Sequence, residues 1–274
     1  MYGETIRKIR ISKDLPLKSV YFGICSKTNA IQFEKGDRML AADKFNTVLD
    51  NLMITMGEFK WINNNYRPST KLYHNYMVGH AWNSNQLNQF KQSVRQAEVE
   101  QNSIERIQLS SYRLLRAYEQ QLSPDQQELQ LVINYFSNLS SWTLSDVNFF
   151  ANNCYFLPYP LMTSLLTEAL KAQNRYHFYH DSERTFATVL TNCIDRMLLE
   201  QDFKNALEKL AILKELTKDI TMDGFRLLVN YYDAKLVFLS SNSKNGRDKL
   251  AKVCQVAEYL GNTQLVAEIT EILK

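Results

Sequence analysis

Two eight-residue segments near the end of the chain repeat one another: Lys204-Asn205-Ala206-Leu207-Glu208-Lys209-Leu210-Ala211 and, 40 residues on, Lys244-Asn245-Gly246-Arg247-Asp248-Lys249-Leu250-Ala251. Five positions are identical and a sixth is acid for acid. Periods of this size belong to helical solenoids, in which each helix pair can bury its apolar face only against a neighbour. The rest of the chain suits that architecture. Only 8 Gly and 5 Pro occur among 274 residues, too few for the turns of an all-β domain, while long runs free of both favour helices. A hydrophobic content of 45% supports a buried core. The expected fold class is all-α.

Several functions are disfavoured. The most apolar stretch, FFANNCYFLPYPLMTSLL, is interrupted by Asn152, Asn153, Pro158 and Pro160, so no membrane span is expected. The opening MYGETIRKIR lacks an apolar segment after its charges, so a cytoplasmic location is expected. Cys25, Cys154, Cys193 and Cys254 are far apart, and this spacing suggests packed thiols, with no zinc set or disulfide framework. His177 and His180 could hold a metal only if distant carboxylates joined them. No phosphate-cradling glycine loop, H-E-x-x-H or G-x-S-x-G occurs. No enzyme, cofactor or metal is expected.

Charge is concentrated at the front. Residues 1–40 hold eight Lys/Arg against four Asp/Glu, a balance of +4 in a chain whose net charge is +3. A basic head on a nearly neutral body fits a polyanion-binding module with an appended domain. The head divides into short helices. Ile6 and Ile9 stripe the first, and Asp14-Leu15-Pro16 breaks it. Pro16 can open the second. Ser26 is a good N-cap for the third and Gly36 a left-handed terminator. In that third helix Ala30 and Phe33 share an inward face, which leaves Lys27, Thr28, Ile31 and Gln32 outside. Phe45, Val48, Leu49 and Leu52 form an amphipathic helix that covers the core. The pattern dissolves over GEFKWINNNYRPST, and the Asn run with Pro68 marks a boundary. The expected domains are 1–65 and 71–274.

Read as a helix-turn-helix, the third helix would enter the DNA major groove. Lys27 could donate to guanine, Thr28 could bond a base or touch a thymine methyl, Ile31 could meet a thymine methyl and Gln32 could pair with adenine. Ser26 and Asn29 complete the candidate contact set, and Lys18, Lys35 and Arg38 would neutralise phosphates. In the downstream stack, amides facing an inner surface could hold an extended peptide backbone through its C=O and N–H groups. The candidates are Asn152, Asn153 and Asn230, with Tyr155 in the same aromatic-rich setting, and Asn192 in the middle of a helix. A repeat scaffold that binds a partner protein and has no sequence-specific DNA binding is the alternative.

Residues 3–59, with Ile6-x-x-Ile9-Arg10, Ser26 and Phe33-Glu34-x-Gly36, resemble the XRE-type helix-turn-helix. The whole chain, including Trp142, Phe149-Phe150-Ala151-Asn152 and the helix around Asn192, resembles the Rgg/PrgX branch of the RNPP peptide-responsive regulators. The resemblance implies a five-helix DNA-binding domain, a TPR-like repeat domain that holds a short signalling peptide in its concavity, and a homodimer acting on a double-stranded DNA operator. It also implies that Arg10 pairs with Glu34, and that Asn152 and Asn192 face the peptide groove. Departures occur at Ala30, where the family has a larger aliphatic, at Ile31, where it has a small polar residue, and at Gln32, where a basic residue is common.

Overall fold

The structure is a computed structural model. It describes residues 1–69, 103–241 and 244–274, together with positions 73, 76, 77, 79–81, 84, 86, 88 and 89. No strand occurs among the described residues. The chain divides into two compact units, Met1–Ala97 and Glu98–Lys274. The expected boundary at 65–71 lies between the fifth helix and Ser103, and residues 70–72 fall outside the described residues, as does most of the helical reading for 71–102.

The first unit contains α1 (Tyr2–Ser12), α2 (Leu17–Tyr21), α3 (Lys27–Lys35), α4 (Ala42–Asn51) and α5 (Met56–Asn63). As expected, the Ser26 hydroxyl accepts a hydrogen bond from the Asn29 N–H at 3.3 Å, and Gly36 ends α3 at φ +88°. The core is Ile6, Ile9, Val20, Ala30, Phe33, Phe45, Val48, Leu49, Leu52 and Phe59, all buried. Helix α1 grips α3 at two points. At one end a Cβ on Gly3 would lie 1.7 Å from the Phe33 carbonyl oxygen, so only glycine permits this approach. At the other, Arg10 donates from Nε and Nη2 to the two Glu34 carboxylate oxygens, each at 2.7 Å, and from Nη1 to the Leu15 carbonyl at 2.9 Å. The pairing implied by the resemblance is therefore present, and it fixes the rotation of α3 about its axis.

Helix α5 corrects the reading of its segment as patternless. Thr55 caps it by accepting from the Glu58 N–H at 3.1 Å. Of its side chains only Phe59 is buried, packing 5.0 Å from the Phe45 ring. A two-turn helix that buries one residue has no periodicity to read.

The second unit contains α6 (Ser103–Glu119), α7 (Gln126–Ser137), α8 (Leu144–Asn153), α9 (Tyr159–Lys171), α10 (Ser182–Leu199), α11 (Phe203–Leu216), α12 (Asp223–Ser241), α13 (Lys244–Tyr259) and α14 (Thr263–Leu273). Helices α6, α8, α10 and α12 pack in succession as one row, and α7, α11 and α13 each pack beside members of that row. Together they form a TPR-like superhelix. Its repeat is visible in bonding as well as in sequence. Asn192 Nδ2 donates to the Ala151 carbonyl at 2.9 Å, the Tyr232 hydroxyl to the Thr191 carbonyl at 3.2 Å and the Arg196 guanidinium to the Tyr155 carbonyl, and each bond spans 41 residues. The repeated sequence segments fall on α11 and α13. Where the first copy has Ala206 the second needs Gly246, because a Cβ there would come 2.6 Å from the Cα of Phe238 on α12.

Candidate functional site

With α1 holding Glu34 and the core holding Ala30 and Phe33, the opposite face of α3 is left to solvent. Lys27, Thr28, Ile31 and Lys35 are exposed, and Asn29 and Gln32 are half-buried. Positions 27, 31 and 35, and beside them 28 and 32, follow one another a turn apart, so the polar set forms one continuous face. The nine residues of α3 span about 14 Å at the rise of an α-helix. Ser26 spends its acceptor on the cap. Arg38 Nη1 donates to the Asn29 side-chain oxygen, so these two candidate contacts are tied to each other. The Lys18 ammonium lies 5.7 Å from the Phe22 ring centroid. Between α2 and the start of α3 opens a cleft of about 630 Å³ walled by Leu17, Tyr21 and Phe22, with Lys18 and Lys27 also lining it.

In the second unit α10 is largely enclosed, and from Thr185 onward its unburied positions make one stripe. Thr185, Thr188, Asn192, Asp195, Arg196 and Leu199 follow helical spacing along it. Asn192 stands mid-stripe. One of its amide hydrogens is committed to Ala151, which leaves its oxygen and second hydrogen for another partner. On α8, Asn152 is exposed beside that carbonyl. Asn148, one turn earlier, is exposed on the same face and was not singled out from the sequence; its i, i+4 spacing from Asn152 is the signal that could have found it. Tyr155 is half-buried with its ring 5.5 Å from Tyr118 of α6. Burial pushes its hydroxyl far above the ordinary tyrosine range.

Beside Asn192 the row carries charge. The Lys235 ammonium of α12 lies 3.7 Å from Asp195 and 2.9 Å from Glu268 of α14. The Tyr231 hydroxyl also donates to Glu268. Burial pushes the Asp195 carboxyl above its ordinary range, with Lys235 opposing the shift and Glu268 adding to it. Arg196 is engaged by Glu200 through Nε at 2.9 Å and Nη2 at 2.6 Å, and by the Tyr155 carbonyl.

Two expected members of the set are elsewhere. Asn153 is fully buried, donating to the Phe149 carbonyl at 2.6 Å with its own oxygen unpartnered. One residue's step of about 100° around α8 carries it from the exposed face of Asn152 into the core. Asn230 is exposed on the side of α12 that faces α13. It lines a cleft of about 270 Å³ with Lys249, Lys252 and Val256 of α13. Its neighbour Asp233, one turn on, pairs with Lys214 of α11 and Lys249 of α13, whereas Lys235 turns to α10 and α14. His177 and His180 stand in an exposed loop with Phe178, His180 being 2.7 Å from Asp181.

Comparison with known proteins fixes the lineage of this arrangement. Residues 83–271 match the family described as HTH-type transcriptional regulator Rgg, C-terminal domain. The chain belongs to the Rgg family. That family consists of regulators of transcription and not of enzymes. Solved structures share the fold over the whole length. A Listeria monocytogenes EGD-e protein crystallised as a proposed transcriptional regulator superposes with a TM-score of 0.82 at 21% identity, covering 99% of this chain and 95% of the other. The SHP pheromone receptor Rgg2 of Streptococcus dysgalactiae gives 0.77 at 15% identity, over 100% and 98% of the two chains. PrgX in its complex with cCF10 gives 0.68 at 16%, over 98% and 97%. No helix among the described residues of this Rgg-family chain is long and apolar enough to cross a membrane.

Proposed function

We propose that this protein is a DNA-binding transcriptional regulator controlled by a short signalling peptide held on the inner row of its repeat unit. The observation that carries the DNA part is the outward face of α3. Lys27, Thr28, Ile31 and Gln32 emerge together from a helix whose rotation is locked by Arg10 and Glu34. Residues 1–65 then serve as the DNA-binding domain and the downstream helices as the peptide-binding and dimerisation domain. Lys18 and Lys35 neutralise phosphates, Asn29 and Arg38 act as a linked pair, and Ser26 caps the helix. The peptide part rests on the exposed amide of Asn152 and the half-buried amide of Asn192, beside Tyr155, and on structural relatives described as a pheromone receptor or solved as a peptide pheromone/receptor complex.

A homodimer presents two such helices to a palindromic operator. Peptide that binds two dimer arrangements unequally shifts the balance between them, and with it the spacing of the helices.

The test is footprinting on DNA flanking the protein's own gene, with and without short peptides from culture medium. A protected palindrome whose occupancy responds to peptide and falls steeply with salt is expected. Replacing Lys27 and Gln32 with Ala removes operator selectivity and leaves peptide binding intact. Loss of both activities in that variant assigns the two residues to the fold. Salt-insensitive retention of a partner protein, with no footprint, identifies a scaffold.

A further inference from the structure

The charged group formed by Asp195, Lys235 and Glu268 is unevenly satisfied, and the imbalance has a chemical meaning. Glu268 receives both the Lys235 ammonium at 2.9 Å and the Tyr231 hydroxyl. Asp195, one turn from Asn192 on the same stripe of α10, holds Lys235 only at 3.7 Å. The Asp195 side chain keeps 33% of its exposure and Lys235 only 12%, so the carboxylate, and not the ammonium, is presented outward. The nearby Arg196 cannot compensate, because Glu200 and the Tyr155 carbonyl occupy its guanidinium. Two acids share one lysine, leaving the trio at −1. The rings of Tyr118 and Tyr155, 5.5 Å apart, stand beside this turn of α10, where Arg196, the residue next to Asp195, donates to the Tyr155 carbonyl. An incompletely paired carboxylate next to aromatic faces is a setting that stabilises a cation twice, by charge and by the ring quadrupole.

We infer that Asp195, with Tyr118 and Tyr155, forms a subsite for a positively charged group of the bound peptide, either its terminal ammonium or a Lys or Arg side chain. The inference rests on the peptide-binding reading above and adds the ligand's chemistry to it. A cation placed here completes Asp195 without displacing Lys235 from Glu268. A carboxylate placed here meets Asp195 and Glu268 and is rejected. Asp195 acts on specificity, while Asn192 and Asn152 hold backbone whatever its sequence.

The experiment uses the full-length protein and three synthetic pools of C-terminally amidated heptapeptides built from uncharged residues. One pool has a free amino terminus, one is N-acetylated, and one is N-acetylated with a single Lys. Retention at equilibrium is read by mass spectrometry as the ratio of each charged pool to the acetylated neutral one. A ratio on the order of tenfold is expected. Its appearance in the free-terminus pool alone assigns the ammonium, and in the lysine pool alone the side chain. Asp195→Asn brings the ratio to unity. Lys235→Gln raises it, since both acids then lack their internal cation, and this opposite sign decides the matter should Asp195→Asn fail to fold. A ratio near one in the unaltered protein, or one that Asp195→Asn leaves in place or Lys235→Gln fails to raise, overturns the subsite. Retention of none of the pools overturns peptide binding together with it.

Discussion

Glu34 and Asp195 are both carboxylates on helices that carry candidate contacts, and they are paired in opposite ways. Glu34 receives a two-pronged guanidinium with both oxygens at 2.7 Å, in a pair whose side chains are 14% and 5% exposed. Asp195 shares a lysine that prefers another acid. The first pair fixes one geometry, the orientation of α3 against α1. The second leaves a carboxylate unfinished. The contrast extends to the units themselves. In the first, a few single contacts determine the arrangement: one glycine under a carbonyl, one ion pair and one left-handed cap. In the second, a side-chain-to-carbonyl bond recurs one repeat of 40 residues on, from Asn192 and Ala151 to Tyr232 and Thr191, so stability is a sum over neighbouring repeats.

The largest effect should therefore come from the first unit. Glu34→Gln leaves the Arg10 charge buried and should cost about 3–5 kcal/mol, read in urea unfolding and in lost hydrogen-exchange protection across α3. Replacing both partners with apolar residues of similar volume should recover much of that loss. A Glu34→Gln protein of unchanged stability would break the contrast outright. Next comes Gly246→Ala, where a methyl meets the α12 backbone. Overpacking of this kind costs about 1–3 kcal/mol. The converse change at the matching repeat position, Ala206→Gly, should cost only about 1 kcal/mol, through helix propensity.

Smaller effects separate two aspartates of the second unit. Burial pushes Asp233 up, but the ammoniums of Lys249 and Lys214, each at 2.9 Å, outweigh it and hold the carboxyl below its ordinary range. Its contribution is present above the ordinary carboxylate range and is lost as pH falls through the lowered value. Asp195 is raised, so its sign reverses: its contribution is present below the ordinary range and is lost as pH rises through the raised value. Asp233→Asn should thus cost up to about 1 kcal/mol at neutral pH, whereas Asp195→Asn should be neutral or slightly stabilising there. Melting curves at pH 7 and in the carboxylate range check both. The smallest expected change is in DNA affinity. Lys18→Ala should lower the slope of log affinity against log salt by about 1, for all sequences alike.

The first unit was readable wherever one residue enforces one geometry. Ser26 and Gly36 delimit α3, and Phe45, Val48, Leu49 and Leu52 trace α4, because capping and helical periodicity act over a few residues. Helix α5 was implied only by the five-helix resemblance and left no periodicity of its own, because it buries only Phe59. Among the amides, sequence context could not separate Asn152 from Asn153, since adjacent helical positions differ by about 100° and only packing says which faces the core. Asn230 lies apart from Asn192, facing α13, for a related reason. An aromatic setting does not tell which side of a helix faces its own row and which faces α13.

What the sequence determined by itself is what local chemistry sets: an all-helical chain, a basic head with a capped third helix, and a repeat of about 40 residues. What only the tertiary structure decided is which side chains meet across those repeats. Asp195, Lys235 and Glu268 lie on three helices, separated by 40 and 33 residues, and none of them has a pattern of its own. Their unequal distances come from how successive helices are rotated and spaced. That is a property of packing between distant segments, on which short-range preferences have no hold.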